Sequence, residues 1–122
     1  MPSNAKKIFP RRGDVYLVNF DPTVGAEIKK TRPALVVQNN IANQYSDIIV
    51  VAAITSRFDT ELYPTEVFVP SGSGLALNSV VLLNQIRSID KQRLIKRLGS
   101  INAETQQQVD RSLKISFGLI DL

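Results

Sequence analysis

The chain contains no cysteine and no histidine. Without cysteine there is no disulfide framework and no thiolate nucleophile, and nothing points to an oxidising compartment. Without histidine, the commonest general base near neutral pH, the commonest zinc ligand and every serine-histidine or cysteine-histidine arrangement are gone. Carboxylates alone remain as metal ligands. The 11 acids are scattered without the paired spacing of an EF-hand or a two-metal site, so neither a metal nor another cofactor is expected. The short turn at residues 71–74 is not followed by a lysine and a helix, which excludes a Walker-type phosphate loop. No apolar run is long enough to cross a bilayer, and the lysines of the first ten residues precede no apolar stretch of the secretory kind. The expected compartment is the cytoplasm.

What is present is modest. At 122 residues and 43% hydrophobic content the chain is long enough to bury one core. We expect a single domain over residues 11–122, preceded by a loose basic arm over residues 1–10. Lys and Arg number 15, for a net charge of +4 and a pI near 9.6, which suits an acidic partner such as nucleic acid or an acidic protein.

Short strands separated by Gly and Pro turns dominate the pattern. Residues 15–20, 34–37 and 65–69 have the branched and aromatic content of strands. The continuous apolar run at residues 48–54 predicts a strand covered on both sides. Residues 80–83 and 85–89 follow each other so closely that one strand kinked or bulged near Asn84 is expected. Residues 39–46 read as a turn or one turn of helix, residues 90–93 as a turn of helix, and residues 94–98 as a mixed segment within the densest basic patch outside the arm. Asn102 is placed to cap a final helix, with Glu104 in its first turn, running to about Leu119. Val109 and Leu113 form one apolar line on that helix, continued by Phe117 and Ile120, while Ile115 and Leu119 open a second. The fold class expected is mainly β, a small barrel with a C-terminal α-helix.

The polar residues of interest gather where strands begin and end. Pro33 forces extended geometry on Arg32 and has no N–H, which puts Arg32 at a strand start with its guanidinium free to leave the core. Arginine presents a planar fork of donors matched to phosphate oxygens. Thr55 ends another strand. If the two strands are antiparallel neighbours, the start of one meets the end of the other and both side chains share a rim. A guanidinium and a hydroxyl there suit cleavage of RNA by its own 2'-hydroxyl, because the nucleophile belongs to the substrate and the protein needs only to align it and stabilise phosphate charge. Each residue also has a plainer reading: Arg32 as a solvated charge, Thr55 satisfied by backbone, Asn39 and Gln85 as structural amides, and Phe58 and Tyr63 as pins for their own loop.

Three segments carry a resemblance: RRGDVYLVNFDPTVGAEIKKTRPALVVQNN, then VVAAITS, then LLNQIRSIDKQRL. In that order they resemble the MazF/PemK family of toxin endoribonucleases from bacterial toxin-antitoxin pairs. The resemblance runs from Arg12 to the C-terminus. It implies an SH3-like (CcdB/PemK-type) β-barrel with a C-terminal helix, a homodimer gripping single-stranded RNA, and an acidic antitoxin protein as partner. It places the catalytic pair on Arg32 and Thr55. Candidate RNA-binding residues are Glu27, Lys29, Asn39, Tyr63, Gln85 and Arg87. Two alternatives have a related barrel without cleavage: a CcdB-like toxin that binds DNA gyrase, and an RNA-binding barrel that uses the basic patch at residues 91–97.

Overall fold

The computed structural model describes residues 9–20 and 31–122. Strands β1 (Asp14–Asn19), β2 (Thr31–Val36), β3 (Ile48–Thr55), β4 (Glu66–Val69), β5 (Ser79–Asp90) and β6 (Leu94–Ser100) form one antiparallel sheet in the order β4-β5-β3-β2-β1-β6. Helix α1 (Asn40–Tyr45) follows β2, a 3-10 turn (Lys91–Arg93) joins β5 to β6, and helix α2 (Ala103–Ser116) ends the fold. This is the expected mainly β architecture with a C-terminal helix.

Strand alternation divides the core between two clusters. Val15, Leu35, Ala52 and Leu83 belong to one, which is capped by Val109 of α2. Their chain neighbours Tyr16, Ala34, Val36 and Val51 belong to the other, with Phe20 and Leu94 packed on it. The apolar run of β3 is therefore buried on both faces, which is why it does not alternate with polar residues.

The sheet does not close by pairing: among the described residues β4 and β6 share no ladder. Their ends are brought together by the turn after β4, where Gly74, at φ 88°, meets β6 backbone to backbone. A Cβ on Gly74 would collide with the Leu98 carbonyl, and one on Gly99 with the carbonyl of Ser73. The rest of β6 is blunted as an edge. Its pairing with β1 shifts register twice, and Lys96 and Arg97 stand exposed on it, both of which discourage pairing with another chain.

The break expected near Asn84 is a bulge. Ala52 faces Ile86 while Ala53 faces Leu82, so residues 83–85 are extra on β5. Leu83 turns its N–H to the Thr65 carbonyl at 2.8 Å, and the strand continues without interruption.

Both helices are capped by asparagine, α2 by Asn102 as expected and α1 by Asn39, a residue expected to bind RNA. The Asn39 side chain accepts from Ala42 N at 2.8 Å, and that of Asn102 from Thr105 N at 2.8 Å. Asn43, fully buried, bonds through its amide to the Gln38 carbonyl and side chain, which fixes the exit from β2. Arg12 ties the chain's entry to α2 through Asp110 at 2.7 Å.

Helix α2 stops at Ser116 rather than near Leu119. Gly118, at φ 74°, donates to the Ile115 carbonyl and Leu119 to that of Lys114, a left-handed glycine stop. This turns Phe117 off the buried line: Phe117 is 62% and Leu119 71% exposed, so the chain's own sheet does not cover this end.

Tyr16 has a measurable consequence. It is 9% exposed, and burial, reinforced by the Asp14 carboxylate and partly offset by Arg97, raises its phenol above the ordinary 10.0. A raised pKa means the folded state holds the proton more tightly. Its contribution is complete below about pH 10 and is lost as pH climbs through the folded value. Urea midpoints should therefore fall above that pH, and fall less in Tyr16→Phe; identical alkaline slopes for the two proteins would remove Tyr16 as the cause.

Candidate active site

The site opens where β2 loses its hold on β3. Ala34 faces Ala53, Leu35 faces Ala52 and Val36 faces Val51. Val37 N–H donates to the Val50 carbonyl at 3.0 Å, and alternate residues on a strand point the same way, so Leu35 and Pro33 also turn their nitrogens toward β3. Pro33 has no hydrogen to give. On the other side the ladder continues, with Arg32 facing Val18 and Thr31 facing Asn19 of β1. Arg32 is thus held by β1 but released from β3.

Carried two residues beyond Ala34, the same register sets Arg32 opposite Thr55. Both line a cavity of about 260 Å³ together with Pro33, Ile54, Ser56, Arg57 and the turn from Leu75 to Leu77. The Thr55 hydroxyl accepts from Arg57 N–H at 3.1 Å and lies 3.3 Å from the Arg57 carbonyl. Backbone therefore fixes its position, as the plainer reading has it. Among the described residues the hydroxyl's one donated bond is that longer one, which a phosphate oxygen can replace.

A second cavity of about 140 Å³ adjoins the first and shares Arg32, Pro33 and Ile54 with it. Ala53, Gln85, Arg87 and Phe20 complete its lining. Gln85 is the last residue of the β5 bulge, and Arg87 sits over the Phe20 ring, 4.8 Å from its centroid.

The structure thus brings Arg32, Thr55, Gln85 and Arg87 together. Tyr63 lies further along the same side, 71% exposed, at the edge of a polar hollow that also includes Ser56, Arg57, Asp59 and Glu66. Its backbone is clamped to Glu66 in both directions, at 2.9 Å each. Asn39 is not at this site. It follows the opposite end of β2, beyond at least four steps of about 3.3 Å each from Arg32, and its side-chain oxygen caps α1. Glu27 and Lys29 lie outside the described residues.

The sequence reading did not select Phe20, Arg57 or the Leu75 to Leu77 turn as site residues. Phe20 reads as the end of a core strand, and its place in the cavity lining and its ring contact with Arg87 show otherwise.

The basic patch at residues 91–97 largely serves the chain itself. Arg93 donates to the Asn19 carbonyl, Arg97 pairs with Asp14 at 3.2 Å, and Lys91 reaches the Gln44 carbonyl at 3.5 Å.

A model of the PemK-like, MazF-like toxins of type II toxin-antitoxin systems matches residues 11–117, a span that includes every element carrying this site. The chain belongs to this family. It is 44% identical over 112 residues to Endoribonuclease EndoA of Bacillus subtilis, a match covering 91% of the chain and 97% of that relative. A MazE-MazF crystal structure from Deinococcus radiodurans superposes with a TM-score of 0.79 at 30% identity, covering 93% of this chain and 100% of that one. A mycobacterial endoribonuclease in complex with its cognate antitoxin gives 0.74 at 25% identity, over 93% and 99% of the two chains. The six-stranded sheet and the open β2–β3 rim described above thus lie within the same matched span. Among the described residues no helix is long and apolar enough to cross a membrane.

Proposed function

We propose that this chain is an endoribonuclease toxin that cleaves single-stranded RNA at the Arg32–Thr55 rim. The observation that carries the reading is the β2–β3 register, which sets a guanidinium opposite a backbone-fixed hydroxyl beside a gap opened by proline. The 2'-oxygen of the substrate attacks the adjacent phosphorus while the bond to the 5'-oxygen breaks. The 2'-hydroxyl proton passes to the medium and the 5'-oxygen takes one up, leaving a 2',3'-cyclic phosphate and a 5'-hydroxyl. Arg32 donates to the non-bridging oxygens, where charge gathers in the transition state, and toward the leaving oxygen. Thr55 fixes the phosphate so that attack and departure stay in line. The nucleophile is the substrate's own, so the scheme needs no metal.

The partners follow from the same reading. Exposed Phe117 and Leu119 at the end of α2 support a homodimer in which a second copy covers them. An acidic antitoxin segment competes with RNA for the cationic rim, and cleavage of mRNA in the cytoplasm stops translation and growth. The test is digestion of long single-stranded RNA in EDTA with the fragment ends mapped. Cuts at one short sequence, with cyclic-phosphate and 5'-hydroxyl ends and absent in Arg32→Ala and Thr55→Ala, are expected. A folded wild type that cuts none of several unrelated RNAs would move the function to a protein-binding toxin.

A further inference from the structure

We infer that Ser112 of α2 is a positioning residue for RNA binding: its hydroxyl fixes the Pro64 carbonyl and thereby holds the Tyr63 ring beside the Arg32–Thr55 rim. The inference rests on the endoribonuclease reading above. It adds a residue that touches neither the substrate nor the reacting atoms.

Residues 56–65 connect β3 to β4, and a connection of this kind is ordered only as far as its backbone is tied. The ties gather on its return leg. The Tyr63 carbonyl accepts from Glu66 N–H at 2.9 Å, closing a β-turn with Pro64 at its second position, where the fixed φ of proline suits the turn. The Thr65 carbonyl accepts from Leu83 N–H at 2.8 Å, within the β5 bulge that ends at Gln85. Between these two, the Pro64 carbonyl is the one the turn itself leaves unused, and Ser112 Oγ donates to it at 2.6 Å. Three successive carbonyls are thus held by the turn, by α2 and by the bulge.

Ser112 is 5% exposed, on a helix where serine often returns its hydroxyl to the carbonyl four residues earlier. Here it reaches across 48 residues of sequence instead. Proline limits its own φ and the ψ of the residue before it, so an anchor on the Pro64 carbonyl reaches the Tyr63 backbone with little slack. The hollow that Tyr63 edges shares Ser56 and Arg57 with the Arg32–Thr55 cavity. RNA leaving the cavity on that side meets Tyr63 next. The acids of the hollow, Asp59, Glu61 and Glu66, repel phosphate, whereas the 71% exposed tyrosine offers a base a face to rest on.

The experiment measures KM and kcat on a cleaved RNA, and affinity for all-2'-deoxy oligonucleotides of the sequences tried, with each variant shown folded by circular dichroism. Tyr63→Ala should weaken affinity and raise KM about 10- to 100-fold, the scale of one lost base–aromatic stack. Ser112→Ala should do so about 3- to 10-fold, because the ring remains but is loosely held. The change in kcat should stay below about twofold, since a contact away from the reacting atoms serves ground and transition states alike. Ser112→Cys keeps the volume with a weak donor and should follow alanine, whereas Ser112→Thr keeps the hydroxyl and should bind as wild type. In the Tyr63→Ala background Ser112→Ala should add no further loss, which general loosening of α2 would not reproduce. Additive losses in the double variant, wild-type affinity in both Ser112→Ala and Ser112→Cys, or a loss in kcat with KM unchanged overturns the inference and leaves the enzyme standing. Tyr63-dependent weakening in a protein that binds RNA without cutting it retains the inference and overturns the enzyme. A wild type that neither binds nor cuts RNA overturns both.

Discussion

Arg32→Lys is expected to keep the fold and most RNA affinity while cleavage slows by about 10²–10³-fold, the loss seen when one donor to a developing anion is removed. Arg32 is exposed and lies at the strand end where the β3 ladder has already stopped, so lysine disturbs no packing. Both side chains carry the positive charge that attracts the phosphate. They differ in shape. A guanidinium offers parallel N–H groups in one plane and can hold a non-bridging oxygen while reaching the leaving one, whereas an ammonium is a point charge on a flexible stem. Single-turnover cleavage at saturating enzyme, beside binding of a 2'-deoxy substrate analogue, separates the two effects. A lysine variant cleaving at the wild-type rate would show that charge suffices and that the fork plays no part.

The same comparison bears on how Arg32 acts. Guanidinium groups stay protonated at neutral pH, so removal of the 2'-hydroxyl proton by a neutral arginine is a costly route. Donation to charge that grows in the transition state costs nothing in protonation. On this account the rate does not depend on deprotonating Arg32. The lysine loss should then be nearly constant across neutral pH, whereas a base role would let lysine, which deprotonates more easily, recover as pH rises.

Much of this was legible in the chain. The apolar run of β3, the break near Asn84 and the Asn102 cap follow from local residue patterns, and the structure has all three. The juxtaposition of Arg32 and Thr55 was legible only conditionally, because it required β2 and β3 to be neighbours. Pairing is a tertiary choice that strand propensity does not record. The role of Pro33 was half visible. Its missing N–H is evident from sequence, but only the register shows that this nitrogen faces β3 and not β1. Phe20 and the Leu75 to Leu77 turn were not legible as site residues, since each reaches the cavities through contacts distant along the chain. The stop of α2 differs from the sequence expectation for a local reason: the apolar lines run on through Ile120, but Gly118 takes the left-handed conformation that commonly ends a helix.

Gly74→Ala should be among the most damaging single substitutions in the chain, and Gly72→Ala, two residues away, should be mild. Both glycines have positive φ, 88° and 113°, so both alanines carry the backbone strain of that region, about 1–3 kcal/mol. The surroundings separate them. Among the described residues nothing lies within 4 Å of a Cβ at Gly72, whereas at Gly74 it meets the Leu98 carbonyl and the Gly99 nitrogen, backbone atoms that cannot swing aside like a side chain. The turn must lift from β6, which is the contact that brings the ends of the unpaired sheet together. Leu75, 7% exposed in the first core cluster, and Leu77, in the wall of the Arg32 cavity, would move with it. A loss of about 4 kcal/mol or more is expected for Gly74→Ala, in the range reserved for core disruption. Thermal unfolding reads the difference directly, and cleavage by the remaining folded fraction reads the cavity. Equal melting points for the two alanine variants would mean that the Gly74 contact with β6 does not hold the sheet's ends together.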